Sequence, residues 1–431
     1  MTTRTISLGT VLVVGGCGFL GSHVVDQLLN FPSEDDLPSN THSEPIGHSK
    51  PLSSSLSTAP PPDPATWTFP SLRERYPSCV KTSVHVLDLR CNRNRLPGAI
   101  YHEGDITDPS SLLTVFRTVR PDVVINSASG MYDAPKQILQ KVNIDGTKCL
   151  VEVAGGVHGD WGGKCKAFVH TSSASVIHDS VSDLIFADER WPYVAPNPVE
   201  YYSETKVYAE RIVLEANRKH GSMLTCAIRP AGIVGENDRG GITFGLLTTA
   251  ALAPSWQLHI QIGQGSNLFD TTYVGNVVHA HLLAAKYLLA THALISAGQA
   301  APLDHERVDG EAFNVTNDEP AYFWDTSRYA WACYGRVVDT SQVWTMGKDL
   351  SYVVGALAEL SNKITGRKAK LNRQTVKYAC MTRTYSCEKA KQRLGYRPLV
   401  SMEEGWKRGV SSFVWNERAD EEKGVQAKKV Q

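Results

Sequence analysis

Thr10-Val-Leu-Val-Val-Gly-Gly-Cys-Gly-Phe-Leu-Gly21 joins two patterns that belong to different elements. Val11 to Val14 is a continuous apolar run, as expected of a strand buried on both faces of a parallel sheet. Residues 23–29 then read as a helix. At the junction, Gly15, Gly18 and Gly21 fit G-x-x-G-x-x-G. Glycine lets the backbone turn tightly and approach a pyrophosphate, whose charge sits at the helix N-terminus. A glycine trio alone says little. Here the strand before it and the helix after it supply the context of a dinucleotide-binding loop, with Phe19 and Leu20 opening the helix.

Working outward, the alternation continues. Residues 83–90 (Ser-Val-His-Val-Leu-Asp-Leu-Arg), 99–106, 123–126, 167–170 and 225–229 read as further buried strands, with helical patterns at 110–120 and 141–154. Strands alternating with helices predict an α/β fold, a Rossmann-type doubly wound parallel sheet. The Rossmann domain is expected over residues 1–240, with a return strand at 311–317. A smaller C-terminal substrate-binding lobe is expected over 241–416. The charged last residues, 417–431, read as a disordered tail. Residues 31–65 hold eight prolines and eight serines, a composition that cannot bury enough apolar surface to offset its ordering entropy. Residues 31–81 are therefore expected to be a disordered insertion, a spacer or a partner-binding loop.

Composition excludes several classes. The formal net charge is zero, so no global field favours nucleic acid, and no nucleic-acid partner is expected. Nine scattered cysteines without a C-x-x-C pair read as thiols of a reducing compartment rather than a zinc ribbon or disulfide framework. No metal-ligand cluster stands out. No apolar stretch reaches the roughly 18 residues that a membrane span needs, and the N-terminal pattern is too short for a signal peptide.

An acid at the end of the second strand is expected on the cofactor's ribose, about 20 residues beyond the glycines. Asp88 takes that place once the insertion is discounted. An acid there favours NAD over NADP, although Arg90, Arg93 and Arg95 follow closely and can hold a 2′-phosphate. Asp105 and Ile106, after the third strand, are placed to meet the adenine; a turn or cap role for Asp105 is the alternative.

Tyr202-Ser-Glu-Thr-Lys206 is Y-x-x-x-K. Residues four apart on a helix share a face, so both side chains can enter one cleft. A free phenol has a pKa of roughly 10, and a neighbouring ammonium favours its ionised form. Lys206 can thus make Tyr202 a usable base, and can also bind the nicotinamide ribose. Tyr201 and Tyr208 lack the spacing. About 30 residues upstream lies Thr171-Ser-Ser-Ala-Ser175, where a hydroxyl can donate to a substrate oxygen as its charge changes. Ser173 is the candidate, with Ser172 and Thr171 in reserve and an ordinary turn as the alternative.

The ordered series G-G-C-G-F-L-G, D-L-R, G-D-I, T-S-S-A-S, Y-S-E-T-K and I-R-P, the last ending at Pro230, resembles the extended short-chain dehydrogenases of the 3β-hydroxysteroid dehydrogenase group. Asp270-Thr-Thr-Tyr-Val-Gly-Asn, Ala312-Phe-Asn-Val-Thr-Asn-Asp-Glu-Pro320 and Leu394-Gly-Tyr-Arg-Pro398 are similar to the fungal decarboxylating sterol-4-carboxylate 3-dehydrogenases. The resemblance implies NAD-dependent oxidation of the 3β-hydroxyl of a 4-carboxysterol, with loss of the carboxylate as carbon dioxide. It carries catalysis to Tyr202, Lys206 and Ser173. Cofactor contacts go to Gly15, Gly18, Phe19, Leu20, Gly21, Asp88, Asp105, Ile106, Lys206 and Pro230.

The resemblance also implies a sterol-like substrate and a place beside the other enzymes of sterol C-4 demethylation. The protein is then expected at the cytosolic face of the endoplasmic reticulum membrane, bound peripherally, or in the cytoplasm, and a homodimer is compatible. Leu350, Val353, Val354, Leu357, Leu360 and Ile364 recur at helical spacing, followed by Lys363, Arg367, Lys368 and Lys370. Such a helix can lie in a bilayer interface or pack on the substrate lobe. The terminal Lys428-Lys-Val-Gln431 resembles a dilysine retrieval signal. Three other readings stand beside this one: a tailoring enzyme for a steroid-like triterpenoid, a sugar-nucleotide epimerase or dehydratase, and a non-catalytic dinucleotide sensor. A diphosphate-sugar site needs basic and polar lining, whereas the run 244–256 is apolar.

Overall fold

Short apolar runs build the central sheet. The computed structural model describes residues 5–30, 63–196, 200–220, 222–365 and 372–430. Seven strands form the sheet: β1 (Thr5–Val14), β2 (Ser78–Asp88), β3 (Ile100–Glu103), β4 (Val123–Asn126), β5 (Ala167–Thr171), β6 (Leu224–Pro230) and β7 (Glu311–Val315). All pair in parallel, in the order β7-β6-β5-β4-β1-β2-β3. Every residue of β4, β5 and β6 is buried, because helices cover both faces. Side chains alternate across a strand. Val11, Val13, Ile125 and Val169 therefore meet the helices Phe19–Leu28 and Val274–Ser296. Leu12, Val14, Val124 and Phe168 meet Pro109–Val119 and Thr147–Ala154 on the other face. The doubly wound parallel sheet expected from the alternation is present. Its strand order reverses at β1, which opens a crevice at the carboxyl ends of β1 and β4.

Three boundaries differ from the sequence expectation. First, the expected return strand is present as β7 at the sheet edge, but the helix Val274–Ser296, expected in the second lobe, also packs on the sheet. The second lobe is therefore interleaved with the first. It comprises the helices Ile242–Leu252, Phe323–Cys333, Lys348–Thr365 and Arg373–Cys380. A small sheet of Ala321–Tyr322, Leu268–Phe269, Arg383–Tyr385 and Leu184–Ala187 joins them.

Second, the insertion is shorter than 31–81. Residues 31–62 lie outside the described residues, but 63–77 dock on the protein and β2 begins at Ser78. Tyr76 is buried, Arg75 pairs with Glu404 at 2.7 Å, and Arg408 donates to the Pro70 carbonyl at 2.6 Å. Third, the tail continues the helix Met402–Val430. Its charges find partners rather than water alone: Arg418 pairs with Asp63 at 2.9 Å and Tyr334 donates to Glu417 at 3.1 Å. Composition suggested disorder for both stretches because neither carries enough apolar residues to fold alone. Each is held by the other.

Candidate functional site

At the crevice, Gly15 adopts φ +77°, and a Cβ there would lie 2.7 Å from the Ala128 nitrogen. At Gly21 it would lie 2.2 Å from the Gly15 carbonyl oxygen. Only glycine lets the loop, the first turn of the helix and the β4 loop pack this closely. The helix Phe19–Leu28 starts at Gly18 with no side-chain cap and no acid in its first turn. Its leading N–H groups, at Phe19 and Leu20, are the groups a pyrophosphate would take. The loop thus fits a dinucleotide.

The other cofactor candidates line the same edge, because parallel strands end together there. The Asp88 carboxylate accepts from the Cys17 amide at 3.0 Å, which ties the end of β2 to the glycine loop. Arg90 and Arg93 are exposed, and Arg95 lies over the Tyr101 ring at 4.7 Å. Asp105 accepts from the Thr107 amide at 2.8 Å and its hydroxyl at 2.7 Å, the turn role that the sequence left open. Ile106 packs where a Gly146 Cβ would come within 2.7 Å of it. Pro230 is buried at the end of β6.

Tyr202 and Lys206 share a face of the helix Tyr201–Glu215, with the ammonium 5.8 Å from the phenol ring centre. Lys206 is only 3% exposed and donates to the Thr171 carbonyl at 3.1 Å. The Ser129 side chain lies near enough to the Tyr202 phenol to favour its ionised form. Ser129 follows Ala128, the residue against Gly15, so it belongs to the loop that packs on the glycine turn. The expected acidification of Tyr202 by Lys206 is not present in the chain by itself. Burial pushes the Tyr202 phenol up to about 12, with Ser129 working against that and Glu200 adding to it. Burial also pushes Lys206 down to about 8, against the attraction of Glu210. Glu210 in turn is buried in an ion pair with Arg229 at 2.5 Å and accepts from Tyr193 at 2.7 Å.

The serine loop separates its candidates. His281 bonds the Val277 carbonyl through Nδ1 at 2.8 Å, so that nitrogen carries the proton and Nε2 accepts from the Thr171 hydroxyl at 2.8 Å. Thr171 is thereby committed to the sheet interior. The Ser172 hydroxyl is buried without a partner among the described residues. Ser173 is half-buried and accepts from the Ser175 amide at 3.1 Å, which leaves its own proton free to donate.

Sequence reasoning missed Asn143. It sits in a π-wound stretch, Gln140–Gly146, of the helical run that begins at Lys136. Asn143 accepts from the Gly130 amide at 2.8 Å and the Ser129 hydroxyl at 3.2 Å, and donates to Thr205 at 2.9 Å. It therefore clamps the β4 loop to the catalytic helix. The widened turn is its structural reason, and no spacing rule in one sequence announces such a turn. Beside Glu200, at the start of that helix, a cavity of about 300 Å³ opens between His178, Tyr378 and Met381.

Residues 78–345 match the model of the 3-beta hydroxysteroid dehydrogenase/isomerase family. The chain belongs to this family. Among its curated relatives is the decarboxylating sterol-4-alpha-carboxylate 3-dehydrogenase of Saccharomyces cerevisiae, 33% identical over 92% of this chain and 96% of that protein. The enzyme of the same name from Mus musculus is 32% identical over 93% of this chain and 90% of its own length. Among solved structures, UDP-glucose 4-epimerase of Thermus thermophilus superposes with a TM-score of 0.56 at 18% identity, covering 94% and 98% of the two chains. That likeness speaks for the fold. Within the 3-beta hydroxysteroid dehydrogenase/isomerase family fold, Tyr202, Lys206 and the serine loop meet at the open edge of the sheet.

Proposed function

We propose that the protein oxidises the 3β-hydroxyl of a 4-carboxysterol to a ketone with a nicotinamide cofactor, and that the C-4 carboxylate leaves as carbon dioxide. The observation that carries this reading is the placement of Tyr202 and Lys206 on one helix face, with the ammonium 5.8 Å from the phenol ring centre and anchored on the Thr171 carbonyl. Likeness to the decarboxylating sterol dehydrogenases over nine-tenths of the chain supports the substrate class.

In this reading Gly15, Gly18, Gly21 and the N–H groups of Phe19 and Leu20 hold the pyrophosphate. Asp88 faces the adenosine ribose, and Asp105, Ile106 and Pro230 line the groove. A bound NAD would supply the hydride acceptor for C3 and a positive ring that would favour the ionised phenol; Arg90 and Arg93 are placed to accept NADP as well. Tyr202 takes the hydroxyl proton, with Ser173 donating to the same oxygen and Lys206 holding phenol and ribose in place. The product is a β-keto acid. When its C4–carboxylate bond breaks, the electrons delocalise into the ketone as an enolate, which then takes a proton.

The enzyme works at a membrane surface, bound peripherally at the endoplasmic reticulum beside the enzymes that supply and consume its sterols. No described helix is long and apolar enough to cross a membrane. The helix Lys348–Thr365 instead presents Leu350, Val353, Leu357 and Leu360 to solvent, an apolar stripe that an interface would cover. The side chains of Lys363, Ile364, Arg367, Lys368, Lys370, Lys428 and Lys429 lie outside the described residues.

Purified protein, given NAD and a 4-carboxy-3β-hydroxysterol, is expected to form reduced cofactor and carbon dioxide in equal amounts. Reduction without carbon dioxide would leave a plain hydroxysteroid dehydrogenase. Turnover of a nucleotide sugar instead would overturn the sterol assignment.

A further inference from the structure

Arg383 opens the short strand Arg383–Tyr385. Its guanidinium carbon lies 4.5 Å from the Phe269 ring centre and 4.3 Å from that of Tyr378. Two aromatic rings hold the group in place and leave its N–H edge as the only way to satisfy it. Its Nε is shielded from water without a hydrogen-bond partner, and among the described residues Arg383 makes no ion pair. The buried arginines have partners: Arg229 has Glu210 at 2.5 Å and Arg408 has Glu404 at 2.8 Å. Arg383 is half-buried and only its Nε is shielded, so the outer N–H groups of the fork can take an anion.

The position of Arg383 says which anion. The Tyr378 hydroxyl donates to Glu200, two residues before Tyr202. Tyr385 lies two residues along the strand from Arg383, about 7 Å away. It belongs to the same buried cluster as Ala174 and Val207, the chain neighbours of Ser173 and Lys206. On the other side, burial and then the Arg383 charge push the His178 imidazole down to about 3. Arg383 thus lies behind Tyr378, which lines the cavity and bonds Glu200 at the start of the catalytic helix.

We propose that Arg383 receives the C-4 carboxylate of the substrate, its N–H fork binding the two oxygens while Tyr202 meets the hydroxyl on the adjacent carbon. This rests on the reading given under Proposed function. Two-point attachment presents one face of the ring and aligns the C3–H bond with the cofactor. Loss of carbon dioxide removes the anion, so the neutral ketone is no longer held.

The test compares two ligands in holoenzyme loaded with NAD. The first is a 4-carboxy-3β-hydroxysterol as substrate. The second is the matching 3-ketosteroid without a carboxylate, measured as a competitive inhibitor. Arg383→Gln is expected to lower kcat/KM for the acid by about 100-fold, mainly through KM. The inhibition constant of the carboxylate-free ketone should change by less than about threefold, since it makes no ion pair. Arg383→Lys should lie between, losing about tenfold because a point charge lacks the fork; it carries the comparison should the glutamine variant fold poorly. Undiminished turnover of the acid, or equal losses for both ligands, would overturn the assignment of Arg383 while leaving the dehydrogenase reading intact. A wild-type enzyme inert toward the acid would sink that reading and this assignment together.

Discussion

At the scale of single residues, the site is a set of groups that hold one another. Ser129, near the Tyr202 phenol, bonds Asn143, and Asn143 reaches back to Thr205 on the catalytic helix. Lys206 is fastened to the Thr171 carbonyl and, through charge, to Glu210. In the proposed reaction Tyr202→Phe removes the group that takes the hydroxyl proton. Turnover should fall by about 10²–10⁴-fold, with cofactor affinity, read from quenching of protein fluorescence, nearly unchanged. Turnover at the wild-type rate would remove Tyr202 from the reaction. Tyr202, Lys206 and Ser173 were legible because helical spacing and strand-end position follow from local pattern. Ser129 and Asn143 were not, because their role depends on two loops meeting across the crevice. Arg383 was invisible for the same reason: its two rings come from distant segments of chain.

At the scale of elements, exposure separates two roles that periodicity cannot. The stripe on Lys348–Thr365 has helical spacing whether it faces protein or solvent. In the structure Leu357 is 61% exposed and Leu350 54%, while Ser351 between the stripes is fully buried. Leu357→Glu should therefore weaken co-sedimentation with anionic phospholipid vesicles several-fold and leave the thermal midpoint within about 2 °C, as for surface changes generally. Unaltered vesicle binding would move the membrane contact elsewhere. Residues 63–77 make the complementary point. Their anchors are Arg408, Glu404 and Arg418 on the long C-terminal helix, more than 300 positions away. Composition alone therefore read both partners as loose.

Over the whole molecule, four histidines are sealed in neutral form. Burial pushes His279 and His281 down to about 4, His178 to about 3, and His170 well below its ordinary range. The unfolded chain binds these protons below about pH 6.5, so their stabilising contribution is complete above that and lost as pH falls toward 4. At about pH 5 each such group costs about 2 kcal/mol. Asp270 acts in the opposite sense: burial raises its carboxyl to about 7, so its contribution is present at low pH and lost as pH rises toward 7. Four groups outweigh one. The melting temperature should drop by about 5 °C or more between about pH 7 and pH 5, and a flat or rising profile would contradict this balance. The amino-acid order by itself determined the parallel sheet, the glycine loop and the tyrosine–lysine pair, since each depends on residues close in sequence and on the short periods of strand and helix. The tertiary structure alone decided that the helix 274–296 covers the sheet, what holds 63–77 and the last helix, and which charge lies unpaired near the catalytic helix. Those outcomes depend on contacts between distant segments, and no local period encodes them.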